Sequence, residues 1–179
     1  MASAVAGTLI AGWASMASAA GDAADVKAED APPAWDQVAS IRAAAERLGR
    51  LHRAKGAKAA YELIDNCYRT HSLASTYGEG YETCIAQDYL ETRTLIQVYS
   101  RMPPEMLQKA GVPSPRQLAE SMGRRISMAF SQYKKSQAYA DEVRRLVDTH
   151  GLPVFLSIVF PEAVREMEQK NSNEKKRPQ

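Results

Sequence analysis

Two cysteines flank a glycine-bearing turn, Cys67 before it and Cys84 after it, and each falls inside a helical pattern; nothing else in the sequence limits the fold so strongly. On the first arm Ala60, Leu63, Ile64, Cys67, His71 and Ala74 recur at steps of three and four, so they share one helical face. On the second arm Tyr81, Cys84, Ile85, Tyr89, Thr92, Leu95, Ile96 and Tyr99 form a stripe of the kind that buries an amphipathic helix. The stretch Ser75-Thr76-Tyr77-Gly78-Glu79-Gly80 between them can end one helix and start its antiparallel neighbour. An antiparallel hairpin would bring the two sulfurs level, and a disulfide closing a loop of this length contributes about 3 kcal/mol. The alternative is a pair of buried free thiols in a reducing compartment.

The N-terminus bears on that choice. Residues 1–20 are small, apolar and uncharged and end in Ala17-Ser18-Ala19, an A-x-A signal-peptidase pattern, although the segment before the apolar run has no Lys or Arg. This predicts a signal-peptide-like leader over 1–20 and a periplasmic or secreted mature protein, in which an even pair of cysteines oxidises. Residues 21–35, rich in Ala, Asp and Glu with a Pro pair, read as a flexible linker; 36–170 as one helical domain; and 171–179 as a disordered basic tail. With 45% hydrophobic and 25% charged residues the composition is that of an ordinary globular chain, and a net charge of +2 gives no reason to expect a nucleic-acid partner.

Within the domain, Asp36 is placed to cap a helix whose Val38, Ile41, Ala45, Leu48 and Leu51 share one face. Arg42, Arg47, Arg50, Arg53 and Lys58 fall on the opposite face, with Glu46 the one acid among them. A one-sided cationic helix can hold an anionic membrane surface or an acidic protein, so Arg42, Arg50 and Arg53 are a candidate contact surface; a solvated face on a packed helix is the plainer reading. Gly56 loosens the junction with the hairpin. After the second arm, Pro103 and Pro104 end it and start a short helix to Ala110. Ser114-Pro115-Arg116-Gln117 then supplies a serine cap, a proline in the first turn and a glutamine that reaches back. The helix that follows is interrupted near Ser136 and is expected to stop at Gly151 as a glycine C-cap. Leu152 to Phe160, the most hydrophobic run of the expected domain, predicts a buried helix ended or kinked by Pro161, with a polar helix beyond it to about Lys170. The expected fold is all-α, a bundle of about five to six helices around a disulfide-stapled hairpin.

No motif for a serine nucleophile, a phosphate-binding loop or a zinc hydrolase is present, so no catalytic residue and no cofactor is expected. Cys67 and His71, one turn apart, with Cys84 opposite, could offer three ligands to zinc, but a disulfide would use both sulfurs and leave no metal site. Asp88 lies inside the apolar stripe, where an unpaired carboxylate is costly, so it requires a partner, an Arg or Tyr of the fold before a ligand. His71 is a second candidate for a buried polar group. Tyr77 and Tyr81 flank the turn beside Glu79 and would form an exposed amphipathic tip suited to protein contact.

The run Glu82-Thr83-Cys84-Ile85-Ala86-Gln87-Asp88-Tyr89, followed by Leu95 and Val98-Tyr99, resembles the cysteine-centred helix of small secreted proteins in the lysozyme-inhibitor-like family. In that family a Cys-x-x-x-Asp-Tyr element precedes a Leu and a Val-Tyr pair, and the cysteine bonds to an earlier one. The resemblance covers a short part of the chain. It departs at Thr92, Thr94 and Ile96, where the family has a further Asp and a Leu-Asn pair, and in its wider cysteine spacing. It implies a periplasmic binding protein and gives Asp88 and Tyr89 no catalytic role. The sequence therefore predicts an exported helical protein that binds an unidentified protein or envelope component, with possible peripheral membrane contact. The alternatives are an inhibitor of a cell-wall hydrolase and a metal-binding protein or enzyme using Cys67, His71 and Cys84.

Overall fold

The computed structural model describes residues 30–175, which leaves the expected leader and most of the expected linker outside the described residues. The described chain is all-α: α1 (Gln37–His71), α2 (Glu79–Tyr99), α3 (Pro104–Lys109), α4 (Pro115–Ser131), α5 (Gln137–Leu146), a π-helical turn (Val147–Gly151), α6 (Leu152–Val159) and α7 (Pro161–Lys175). Local chemistry sets the starts. The Asp36 carboxylate accepts from the Ala39 N–H at 3.0 Å. Ser114 and Gln117 cap each other reciprocally at the head of α4, and Ser136 accepts from Tyr139 N–H at the head of α5.

Helix α2 is the axis of the molecule. From Tyr81 to Thr92 every residue except Thr83 is buried, because α1 covers one side, α4 another, and α5 with the π-turn a third. Ile41, Leu48 and Ile64 of α1, Ile85 and Leu90 of α2, Ile126 and Phe130 of α4, and Val143, Val147 and Phe155 beyond form one core. Each such side chain contributes about 1.5–3 kcal/mol by leaving water. The turn from α1 to α2 is closed by the Cys67–Cys84 disulfide, S–S 2.04 Å and Cα–Cα 5.6 Å. Both sulfurs are thus committed to one bond, as the hairpin geometry predicts.

The sequence expectations need correction at several places. Gly56 does interrupt the first helix, with φ 81 and ψ 177, a left-handed conformation that glycine adopts without a steric cost, and α1 resumes after it. Gly151 is not a C-cap: its φ is −87 and the coil runs on through the π-turn, where Leu152 N–H bonds to the Val147 carbonyl. Glycine is required there for closeness, since a Cβ would stand 2.9 Å from Ile41 Cγ2. The end of the expected linker is fixed to the body, Asp30 accepting from Ser136 N–H at 3.1 Å. The polar last helix extends to Lys175, five residues past the expected boundary at 170, because nothing in 171–175 breaks a helix. No helix among the described residues is long and apolar enough to cross a membrane.

Candidate functional site

The hairpin tip differs from its sequence reading. Tyr81 is only 4% exposed and Tyr77 is half-buried, because the rings join one aromatic cluster: Tyr77 lies 5.6–6.2 Å from Trp35, Tyr81, Phe130, Tyr133 and Tyr139. Of the three residues expected to form a contact surface there, Glu79 alone is exposed, and it accepts from the Ser40 hydroxyl. The tip also shows Leu73 to solvent, 90% exposed, with Ala74, Ser75 and Thr76. His71 is half-buried with its ring against Gly80, and among the described residues no group of three or more His, Cys, Asp or Glu side chains could hold a metal ion. The cationic face of α1 is on the surface as expected: Arg42, Arg50 and Arg53 are exposed, Arg50 pairing with Glu46 at 3.2 Å and Arg53 donating to the Ile158 carbonyl at 3.2 Å.

Three carboxylates are buried along α2, where the sequence singled out one. Asp88 accepts from Arg125 Nη2 at 2.6 Å and Nε at 2.9 Å, a bidentate pair, and from the Thr92 hydroxyl at 3.0 Å. The pair holds the Arg125 guanidinium above its ordinary pKa, chiefly through the hydrogen bond to Asp88. Tyr68 donates to the same carboxylate at 3.4 Å, and burial before the Asp88 charge drives its phenol far above the usual value, so it stays a donor.

Glu82, 2% exposed, is enclosed by neutral donors: Gln37 Nε2 at 2.9 Å, the Tyr77 and Tyr139 hydroxyls at 2.9 Å each, and Trp35 Nε1 at 3.3 Å. Burial raises both phenols well above their ordinary range and the Glu82 charge raises them further, which fixes the direction of donation. Lys135 stands 4.4 Å above the Tyr139 ring and 5.3 Å above Tyr77, supplying positive charge to the cluster.

Glu91 is 0% exposed and has one bond, Oε2 to His52 Nδ1 at 2.9 Å, while His52 meets Phe155 edge-on. Its Oε1 has no hydrogen-bond partner among the described residues, and burial raises its carboxyl above the ordinary range against the opposing pull of His52. One turn further on, the Thr94 hydroxyl is also buried and without a hydrogen-bond partner among the described residues. Neither group has the solvent access that proton exchange with a substrate requires, so the pair is no acid–base site. Nearby, Tyr89 donates to Asp148 at 3.1 Å, and Arg93 Nε stands 3.1 Å from the other Asp148 oxygen, an ion pair by distance whose N–H does not point at it.

Past Thr94 the protein opens. The last turns of α2 and the facing side of α6 and α7 enclose a groove of about 790 Å³, within the size range of ligand sites. Its walls are mainly Ile96, Val98, Leu156, Phe160, Val164 and Met167, with Thr94 on one side and Arg101 as the single charged lining residue. A smaller, polar groove of about 440 Å³ lies over the disulfide, between Arg47, Asn66, His71, Glu79 and Thr83. With its oxygen turned to Arg47, the Gln87 amide accepts from that guanidinium at 3.3 Å, so this groove carries its own internal partners.

Sequence reasoning found Asp88 and the disulfide and missed Glu82, Glu91, Thr94 and the larger groove. Little local signal marks the two glutamates: of the partners of Glu82 only Tyr77 is near in sequence, Gln37 and Tyr139 lying 45 and 57 positions away, and that of Glu91 lies 39 away. No family model, curated protein or solved structure matches the chain.

Proposed function

We propose that this is an exported helical binding protein that holds a partner macromolecule in the groove between α2 and the α6–α7 arm and performs no chemistry on it. The groove carries this reading: a concave surface of about 790 Å³, lined mostly by apolar side chains, two of which, Val98 and Met167, remain 38% and 54% exposed. Apolar walls with a few convergent polar groups suit binding. Every buried acid is directed at an internal partner and none at a cleft. Export is supported by the leader pattern over 1–20 and by a closed disulfide, which oxidising compartments maintain. The cationic face with Arg42, Arg50 and Arg53 serves as a secondary, electrostatic surface toward the envelope. Inhibition of a cell-wall hydrolase draws less support, since Tyr77 and Tyr81, which would enter the enzyme cleft, are built into the core.

Two measurements test the reading. Fractionation of cells expressing the full chain, followed by alkylation without reduction and intact-mass analysis, should find the protein outside the cytosol with neither thiol modified; cytosolic protein with two alkylated thiols removes export. An environment-sensitive naphthalene sulfonate dye should brighten in the groove and lose that signal in Val98→Asp and Val164→Asp. An unchanged signal in both variants removes the groove.

A further inference from the structure

We infer that the polar cleft over the disulfide binds a small zwitterion, a free amino acid or a dipeptide, with its carboxylate on Arg47 and its ammonium group on Glu79. The site is separate from the groove between α2 and the α6–α7 arm and does not depend on it.

The cleft follows from the path of α1. Before Gly56 this helix runs beside α2 in the same direction, Gln37 meeting Glu82 and His52 meeting Glu91. After the kink the direction is reversed, Cys67 meeting Cys84 and His71 meeting Gly80. The two arms flank the start of α2 and leave a strip of it open between them, where Thr83 is the single residue from Tyr81 to Thr92 that is not buried. Ala43 and Ala44 on the first arm and Gly80 on α2 bring no bulky side chain into this space. It has two adjoining compartments of about 440 and 370 Å³, and Arg47, Glu79 and Thr83 line both.

Charge selects the ligand. Arg47 and Glu79 are both exposed, are the one guanidinium and the one carboxylate lining the cleft, and form no ion pair with each other. Each is held by an uncharged neighbour instead, Arg47 by the amide oxygen of the buried Gln87 and Glu79 by the Ser40 hydroxyl. Such bonds fix the direction of a charge without cancelling it. A simple anion drawn to Arg47 meets Glu79 as well, and a simple cation drawn to Glu79 meets Arg47, so a like charge opposes either. A neutral sugar takes water from both charges and compensates neither. A ligand carrying both signs a few bonds apart sets each of its charges against the opposite one. The exposed Asn66 amide and the half-buried Thr83 hydroxyl have no hydrogen-bond partner among the described residues and can meet the rest of its polar groups.

Isothermal titration calorimetry on the full chain tests this with alanine and Ala-Ala at millimolar concentration. The comparison ligands are N-acetyl-Ala-Ala, which keeps only the carboxylate, Ala-Ala amide, which keeps only the ammonium group, and the neutral disaccharide trehalose. Alanine or Ala-Ala should bind about fivefold tighter than either capped peptide, the scale of one exposed ion pair. Arg47→Gln should abolish the advantage over the amide and Glu79→Gln the advantage over the acetylated peptide, with the helical circular dichroism of both variants retained because the two side chains are on the surface. Tighter binding of alanine names a free amino acid as the ligand, and tighter binding of Ala-Ala a dipeptide. Capped peptides that bind as tightly as the zwitterions, folded variants that keep the preference, trehalose binding more tightly, or no binding of either zwitterion overturns the inference.

Discussion

The two ends of α2 solve the same problem in opposite ways. At the N-terminal end, the buried Glu82 carboxylate is surrounded by Gln37, Tyr77, Tyr139 and Trp35, and both of its oxygens are used. Toward the C-terminal end, Glu91 keeps one oxygen unpaired, Thr94 an unpaired hydroxyl, and the helix then runs out beside an open groove. A fully satisfied network holds a core in one arrangement, whereas an unsatisfied buried group costs stability. The first end is closed by its own partners, and the second leaves polar groups unpaired beside a groove.

The largest test of that contrast is Glu82→Ala. It strands four half-buried donors and should cost about 3–5 kcal/mol in urea unfolding, the scale of breaking a buried polar network. A loss below about 1 kcal/mol would show that the donors find other acceptors and would dissolve the distinction. Next, reducing the disulfide, or Cys67→Ser with Cys84→Ser, should cost about 3 kcal/mol in urea unfolding, with a larger m-value because the unlinked denatured chain is more expanded.

Glu91 gives a test by pH. Burial raises its folded-state carboxyl above the ordinary range, so between the unfolded value and the raised one the folded protein holds the extra proton. Stability therefore falls as pH rises through that window and recovers on acidification into it. Melting temperatures of the parent chain and Glu91→Gln across that window should show the slope in the parent and a smaller one in the variant; parallel profiles would place the dependence elsewhere. The smallest effect belongs to Thr94→Val, which removes an unpaired buried hydroxyl and should stabilise the free protein by about 1 kcal/mol. Destabilisation there would mean that the hydroxyl already has a partner.

What the sequence revealed and what it hid follow from the same helix. Periodicity and the glycine turn were enough to level Cys67 with Cys84, and one acid inside an apolar stripe was enough to demand a partner for Asp88, found in Arg125. Stripe reasoning assumes that a helix has one dry face. Between Tyr81 and Thr92 α2 is dry nearly all round, so Glu82 and Glu91, off the stripe, drew no notice although they are 2% and 0% exposed. The same assumption put Tyr77 and Tyr81 at an exposed tip, although Trp35 and Tyr139 pack on Tyr77 and Tyr133 packs on both rings, all distant in sequence. The groove was invisible because Leu156, Phe160 and Met167 meet Ile96 and Val98 only in three dimensions.

The left-handed residue inside α1 has one more effect. Gly56 is exposed, and the chain before it contributes Gln37 to Glu82 and His52 to Glu91, while the sulfur bond lies wholly after it. A single peptidase cut at that joint would free a strap that holds an acid at each extremity of the central rod. The remaining fragment, still covalently pinned, would leave Glu91 without its imidazole and Glu82 with its two phenols alone, and give way from both directions at once.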